Sequence, residues 1–325
     1  MRKSTNFIVA CFVIAMIGTN LKAQLLKTPM VSPEALVKQK VGVSTVKIHY
    51  HRPAVKEREI WGKLVPFGMT TFNFGNGKPA PWRAGANENT TITFSDDAMV
   101  EGHPVKAGTY GLFMIVDPDE WTLILSSNST SWGSFFYDEK EDVLRVKLLP
   151  EVANYKEWLE YGFDNPTLTS TTAWLHWERV KVPFKIEFDT DNLAIKDIDN
   201  QLRNTAGFAW QGWNQAAFYC LQNNTHLEKG EEWVKKSISM NENETNRNIY
   251  AYVLMAQNKT EEAMNIFKEN VKKYPESWNV RDSMGEAYKN IGDKKNAIKM
   301  YKKALSMAPE NQKERIQKIL DDLNS

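Results

Sequence analysis

Lys181-Val182-Pro183-Phe184-Lys185-Ile186-Glu187-Phe188, followed by Asp189-Thr190-Asp191-Asn192-Leu193-Ala194-Ile195, is the stretch on which the architecture of this chain turns. In its first half Val182, Phe184, Ile186 and Phe188 alternate with Lys181, Pro183, Lys185 and Glu187. Successive side chains of a strand point to opposite faces, so a period of two marks a strand with one face in a core. Pro183 has no N–H to give to a ladder, which predicts an edge position for this strand. From about residue 195 onward the apolar spacing becomes that of helices. A β-rich domain over 24–193 and a helical domain over 197–325 are therefore expected.

Upstream, Leu144, Val146 and Leu148 alternate with Arg145 and Lys147, and further strands are predicted at 45–50, 90–94, 109–116, 121–126 and 173–177. Glu101-Gly102-His103-Pro104, Asp117-Pro118-Asp119 and Asn165-Pro166 carry turn chemistry between them. Many short strands without an intervening helical pattern predict an antiparallel sandwich or barrel, and the β-sandwich is the architecture expected.

Downstream, Ala263 and Ala297, Phe267 and Tyr301, Leu254 and Tyr288, and Pro275 and Pro309 are each 34 residues apart. That is the length of the tetratricopeptide repeat. Met284-Gly285-Glu286-Ala287-Tyr288, with Gly292, Ala297, Tyr301, Ala304 and Pro309, resembles its consensus. Small residues at Gly285, Ala297 and Ala304 let two helices approach, and Tyr288 and Tyr301 fill the space between them. An earlier unit with Ala217, Gly230, Trp233 and Ser237 is offset by 33 residues, and 312–325 reads as a polar capping helix. The fold class is thus multidomain, all-β followed by a short all-α, tetratricopeptide-like solenoid.

The 325 residues carry a formal net charge of +1, with 42% hydrophobic and 25% charged residues. This is ordinary globular composition; it excludes a disordered tail, a collagen-like chain and a disulfide-stapled miniprotein. No basic excess exists to hold nucleic acid. Arg2 and Lys3 precede the apolar run from Phe7 to Gly18, which has the length of a signal-peptide core and is too short to span a bilayer. Residues 1–23 are read as a signal peptide, cleaved between Ala23 and Gln24, which places the protein in the periplasm or outside the cell. Ile8-Val9-Ala10-Cys11 has the form of a lipidation site, but the apolar run continues past Cys11. Removing this segment takes away Arg2, Lys3 and Lys22, so the 41 basic residues fall to 38 against 40 acidic ones and the mature chain is slightly acidic. Cys220 remains as the one cysteine of the mature chain, so no internal disulfide is expected. No later apolar run reaches the length of a transmembrane segment.

The β-rich half contains, in order, Tyr50-His51-Arg52-Pro53, Arg58-Glu59-Ile60-Trp61-Gly62, Val65-Pro66-Phe67-Gly68, Trp82-Arg83-Ala84-Gly85-Ala86-Asn87-Glu88-Asn89-Thr90-Thr91, Ala107-Gly108-Thr109-Tyr110, Trp121 and Trp132-Gly133. This series resembles the exported family DUF2911 over roughly residues 25–190. The resemblance implies export and a β-rich module, with a helical repeat segment behind it in many relatives, and no activity. At His51 the chain departs from relatives, which commonly carry Ser there.

The polar set of interest is Arg52, Arg58, Arg83, Asn87 and Glu88, set among Trp61, Trp82 and Trp132. Guanidinium forks suit carboxylate or sulfate, and indole rings suit the apolar face of a sugar. Two arrangements are open. Either Arg52, Arg58, Trp82, Arg83, Asn87, Glu88 and Trp132 form a pocket for an anionic or carbohydrate ligand, or the arginines tie loops together through backbone carbonyls. His49 and His51, two apart on a strand, share one face. They are weak metal candidates, read more simply as solvent-side residues opposite Val46, Ile48 and Tyr50. Asp138, Glu139, Glu141 and Asp142 read as a solvated acidic cluster rather than a glycosidase pair. Asp189-Thr190-Asp191-Asn192 starts like a calcium loop but lacks the required Gly and closing Glu. Cys220 falls at the repeat position of Leu254 and Tyr288 and reads as a small core residue. No G-x-S-x-G, Walker, H-E-x-x-H or C-x-x-C motif occurs, and no catalytic residue and no cofactor are expected. The expected function is non-catalytic: an unidentified protein or peptide partner held by the helical repeats. The alternative is binding or hydrolysis of an envelope carbohydrate or anionic ligand at the 83–88 loop.

Overall fold

The computed structural model describes residues 29–325, so the expected signal peptide and Cys11 lie outside the described residues. Twelve strands come first: β1 (Glu34–Val41), β2 (Ser44–His51), β3 (Thr70–Thr71), β4 (Pro79–Ala80), β5 (Thr91–Phe94), β6 (Ala98–Val100), β7 (His103–Val105), β8 (Gly108–Ile115), β9 (Trp121–Ser126), β10 (Asp142–Leu148), β11 (Glu151–Asp164) and β12 (Ser170–Phe188). A six-stranded sheet has the order β1-β2-β5-β8-β9-β10 and a four-stranded sheet the order β11-β12-β6-β7. Every pairing in both is antiparallel.

The two sheets share one core. Val46, Ile48 and Tyr50 of β2, Ile92 and Phe94 of β5, and Leu123 and Leu125 of β9 pack with Tyr161 of β11 and with Leu175, Trp177, Phe184 and Ile186 of β12. Strand β9 breaks the alternation, being buried at every position. Its second face lies under Ala80 and Tyr137, which pack on Phe113 and Ile124.

The expectation for Pro183 is corrected by the sheet order. β12 lies between β11 and β6 and is not an edge strand. Its ladder with β11 runs out at Lys181, and its ladder with β6 begins at Ile186. Pro183 falls in the gap, where no neighbour asks for its missing N–H.

Eight helices follow: α1 (Thr190–Leu202), α2 (Trp210–Gln222), α3 (Leu227–Met240), α4 (Glu244–Ala256), α5 (Thr260–Lys273), α6 (Trp278–Asn290), α7 (Lys294–Met307) and α8 (Glu310–Asn324). The Asp189 carboxylate accepts from the Asn192 N–H and caps α1, which is the role of the Asp189–Asn192 stretch. Gly42, with φ +56°, lets the β1–β2 turn dock on the start of α1: a Cβ there would lie 2.5 Å from Thr190 Cγ2 and 2.7 Å from the Leu168 carbonyl.

The helices pack as α2 with α3, α4 with α5, and α6 with α7, and α8 covers the last pair. Small residues bring paired helices together. A Cβ on Gly285 would stand 3.1 Å from the Tyr301 ring, and one on Gly230 would stand 2.9 Å from Cys220 Cβ. Cys220 is fully buried, and burial pushes its thiol pKa up to about 11. The repeat also buries polar groups. Asn270, one repeat before Ala304, donates to the Glu244 carbonyl at 3.0 Å and to Asn248 Oδ1 at 2.8 Å, and Asn248 donates to Ser283 Oγ at 3.0 Å. No helix among the described residues is long and apolar enough to cross a membrane.

Candidate functional site

A cavity of about 560 Å³ opens in the β-rich domain. It is bounded by the segment after β2, the β3–β4 hairpin, the 80–87 loop and the 132–134 loop. Of the residues singled out from the sequence, Arg58, Trp82, Arg83, Asn87 and Trp132 line it. Arg52 and Glu88 do not.

Neighbouring strands hold these loops in place. β5 pairs with β8 only as far as Gly111; beyond it the edge of β8 is taken by irregular backbone. Trp82 N–H donates to the Met114 carbonyl at 2.9 Å and Met114 N–H to the Trp82 carbonyl at 2.8 Å, while Gly68 N–H reaches Val116. The Ala84 carbonyl accepts from the buried Tyr161 hydroxyl at 2.8 Å and from Thr90 Oγ1 at 3.1 Å. Ala84 and Asn87 are held at φ +50° and +58°, and Lys56 and Glu57 across the cavity at +48° and +57°. Left-handed backbone at non-glycine residues needs surroundings that enforce it, and here four such residues flank one cavity. On the Lys56 side, Val55 N–H donates to the Glu157 carbonyl and Lys56 N–H to Glu157 Oε1.

The tryptophans divide by burial. Trp61, Trp82, Trp121 and Trp177 form one cluster, with Trp82 stacked on Trp177 at 6.0 Å and 18°, and Trp61 edge-on to the other three. Trp82 and Trp177 line the cavity. Trp132, 58% exposed, stands at the rim. Arg83 lies under it, with its guanidinium carbon 5.3 Å from the Trp132 ring centroid and 4.9 Å from that of Phe135. Burial holds the Arg83 pKa below its ordinary value. Gly133, with φ +71°, is required there because a Cβ would meet Arg83 Nη1 at 2.6 Å.

The arginines tie loops and also line the cavity. Arg52 Nε donates to the Leu159 carbonyl at 2.9 Å, away from the cavity. Arg58 donates from Nε to the Val55 carbonyl and from Nη2 to that of Ala54. Arg83 donates from Nη1 to the Asn87 carbonyl at 2.6 Å. Asn87 Nδ2 donates to the Ser32 carbonyl at 3.2 Å. Lys56, Arg58 and Arg83 make no ion pair among the described residues, and no Asp or Glu lines the cavity. Lys56 and Ser134 are lining residues that sequence reasoning missed, since neither sits in a motif. Ser134 is 2% exposed, and its hydroxyl has no hydrogen-bond partner among the described residues.

The histidines are placed differently from the expectation. His49 Nε2 lies 2.5 Å from Glu34 Oε1, but His51 is buried rather than solvent-side, with Nε2 3.3 Å from Glu88 Oε2 and Nδ1 unpartnered. The Glu88 loop folds over this end of β2, covering a side chain that strand alternation alone would leave in solvent. Among the described residues no group of three or more His, Cys, Asp or Glu could hold a metal ion. In the acidic cluster, Glu139 pairs with Arg145, and Asp142 accepts from the Tyr137 hydroxyl at 2.6 Å.

Residues 32–186 match the family model described as a protein of unknown function, DUF2911, and residues 249–277 and 281–311 match tetratricopeptide repeat models. No curated protein matches the chain. Among solved structures the chain is similar to TTC0263, a thermophilic TPR protein of Thermus thermophilus, at 16% identity over 40% of this chain and 71% of that one, with a TM-score of 0.35. It is also similar to PcrH from Pseudomonas aeruginosa at 11% identity, over 36% of this chain and 92% of that one, with a TM-score of 0.32. The Sgt2 TPR domain from Aspergillus fumigatus is similar at 14% identity, over 35% of this chain and 81% of that one, with a TM-score of 0.29. The chain therefore carries a DUF2911 domain, with tetratricopeptide repeats behind it.

Proposed function

We propose that this is an exported, non-catalytic binding protein that holds a protein or peptide partner on its helical repeats. The observation that carries this reading is a polar ladder between successive repeats. The Tyr252 hydroxyl of α4 donates to Glu286 of α6 at 2.5 Å, and Arg315 of α8 donates to Asp282 of α6 at 2.9 Å. Stacked repeats present such positions as one continuous surface, the usual docking face of a solenoid. The test is a pull-down of the mature protein from its own envelope fraction, with a Glu286→Lys variant alongside. Wild type retains a partner that Glu286→Lys loses; an identical set of retained proteins refutes the reading.

A second reading is favoured by the cavity. Three cations without a salt bridge among the described residues, and no acid in the lining of a cavity with an aromatic floor, suit a small anionic ligand, including an anionic carbohydrate, so the β-rich domain acts as a ligand-binding module beside the partner-binding array. Glu157, outside the lining, offsets part of the charge of Lys56 and Arg58. The loop ties and the cavity are compatible, because each tie uses only some of an arginine's five donors.

A further inference from the structure

We infer that the cavity takes a single carboxylate carried on a sugar ring, with Arg83 as its anchor. The inference rests on the ligand-cavity reading above and names its ligand class. Arg58 spends Nε and Nη2 on the Val55 and Ala54 carbonyls, so its side-on fork is closed. Arg83 spends only Nη1, on the Asn87 carbonyl, which leaves Nε and Nη2 free of partners among the described residues. These two parallel N–H groups match the two oxygens of a carboxylate. Trp132 and Phe135 stack on each other at 5.7 Å and the guanidinium lies beside both rings, so these contacts and the Asn87 tie restrict Arg83 before a ligand arrives and less entropy is lost on binding. One open fork satisfies both oxygens of a single carboxylate, whereas a phosphoryl dianion, which also accepts a fork, keeps a further oxygen and a second charge that the spent fork of Arg58 does not serve and that fall to Lys56 alone.

The ring is assigned from the rest of the lining. Trp82 and Ser134 line the cavity, the indole N–H of one and the hydroxyl of the other have no partner among the described residues, and the exposed Trp132 ring offers a flat apolar face. Hydroxyl oxygens for the donors and a C–H face for the indole are what a pyranose presents, and the volume lies within the range of small-molecule sites.

The test is a fluorescence titration of the full chain with D-glucuronate, D-glucose and D-glucose 6-phosphate, for wild type, Arg83→Lys and Trp82→Phe. Wild type binds glucuronate saturably and at least about tenfold more tightly than the other two: glucose has no group to accept the charge-assisted hydrogen bonds of the fork, and the phosphate accepts them but leaves its second charge and further oxygens poorly served. Arg83→Lys keeps the charge, loses the fork and drops glucuronate affinity by about tenfold or more. Trp82→Phe keeps a ring, loses one donor and weakens all three sugars alike, which tests the ring assignment; if Arg83→Lys fails to fold, the wild-type order of glucuronate over glucose and glucose 6-phosphate decides the carboxylate assignment. Tighter binding of the phosphate, or glucuronate binding unmoved by Arg83→Lys, overturns the carboxylate assignment and leaves the anionic cavity standing. Absence of binding by every probe overturns both.

Discussion

Replacing Tyr161 by Phe and Thr90 by Val, singly and together, tests how the backbone beside Arg83 is held. The Ala84 carbonyl is buried, its residue sits at φ +50°, and its two partners are the Tyr161 hydroxyl at 2.8 Å and Thr90 Oγ1 at 3.1 Å. Burial raises the Tyr161 pKa well above its ordinary value, so the hydroxyl remains a donor throughout the accessible pH range. Either single change removes one donor and leaves the carbonyl satisfied by the other, at a cost of about 1 kcal/mol. The double change removes both and orphans a carbonyl in a dry core, which adds about 1–3 kcal/mol to the sum of the singles. The pair therefore couples, with a total loss of about 3–5 kcal/mol. Urea unfolding followed by the near-ultraviolet dichroism of the four-tryptophan cluster reads the β-rich domain directly. Additivity within about 0.5 kcal/mol would refute the reasoning, because it would mean that the carbonyl finds another partner.

Other consequences follow from the same accounting of partners. Asn270→Ala installs the residue that the next repeat carries at Ala304, yet it lowers stability by about 2 kcal/mol in thermal or chemical melts, because the Glu244 carbonyl and Asn248 Oδ1 lose their donor. Burial pushes the Glu231 carboxyl up, but Lys235, Lys259 and Gln257 outweigh it and hold its pKa down at about 2. Its stabilisation is therefore complete above the ordinary glutamate range and is lost as pH falls from about 5 towards 2. Glu231→Gln flattens the melting temperature against pH over that window, and an unchanged acid limb would count against this. Cys220, with a thiol pKa of about 11 and no exposure, does not react with a thiol reagent at pH 8 until the helical domain unfolds. Rapid labelling of the native protein would show that α2 and α3 open.

Much of the architecture can be read along the chain. The alternation ending at Phe188 and the helical spacing after it locate the change from sheet to helix, and the 34-residue spacing locates the two later helix pairs. β1 escapes such a reading, because Lys38, Lys40 and a 60% exposed Leu36 leave only a half-buried face. β11 escapes it as well, because its ladder with β12 shifts register twice and its outer half is solvated. Pro183 misleads because a strand can be central in order and still be unpaired over a short stretch between two ladders. His51 misleads because a loop can cover the far face of a strand.

The site is legible in residue type and not in arrangement. Arg52, Arg58 and Arg83 look alike in the sequence; their carbonyl partners separate them, spending the fork of Arg58, turning Arg52 towards Leu159 and leaving Arg83 half free. Lys56 and Ser134 join the cavity from loops that carry no motif. Periodicity is a local property, set by side chains following one another along a backbone of fixed geometry, so the sequence by itself determined half of the strands, the change from sheet to helix and the repeat. Whether a donor is free depends on which carbonyls reach it from residues far away in the chain. Only the tertiary structure, by bringing four loops to the end of β8, decided that one guanidinium lining an aromatic cavity keeps two donors unspent.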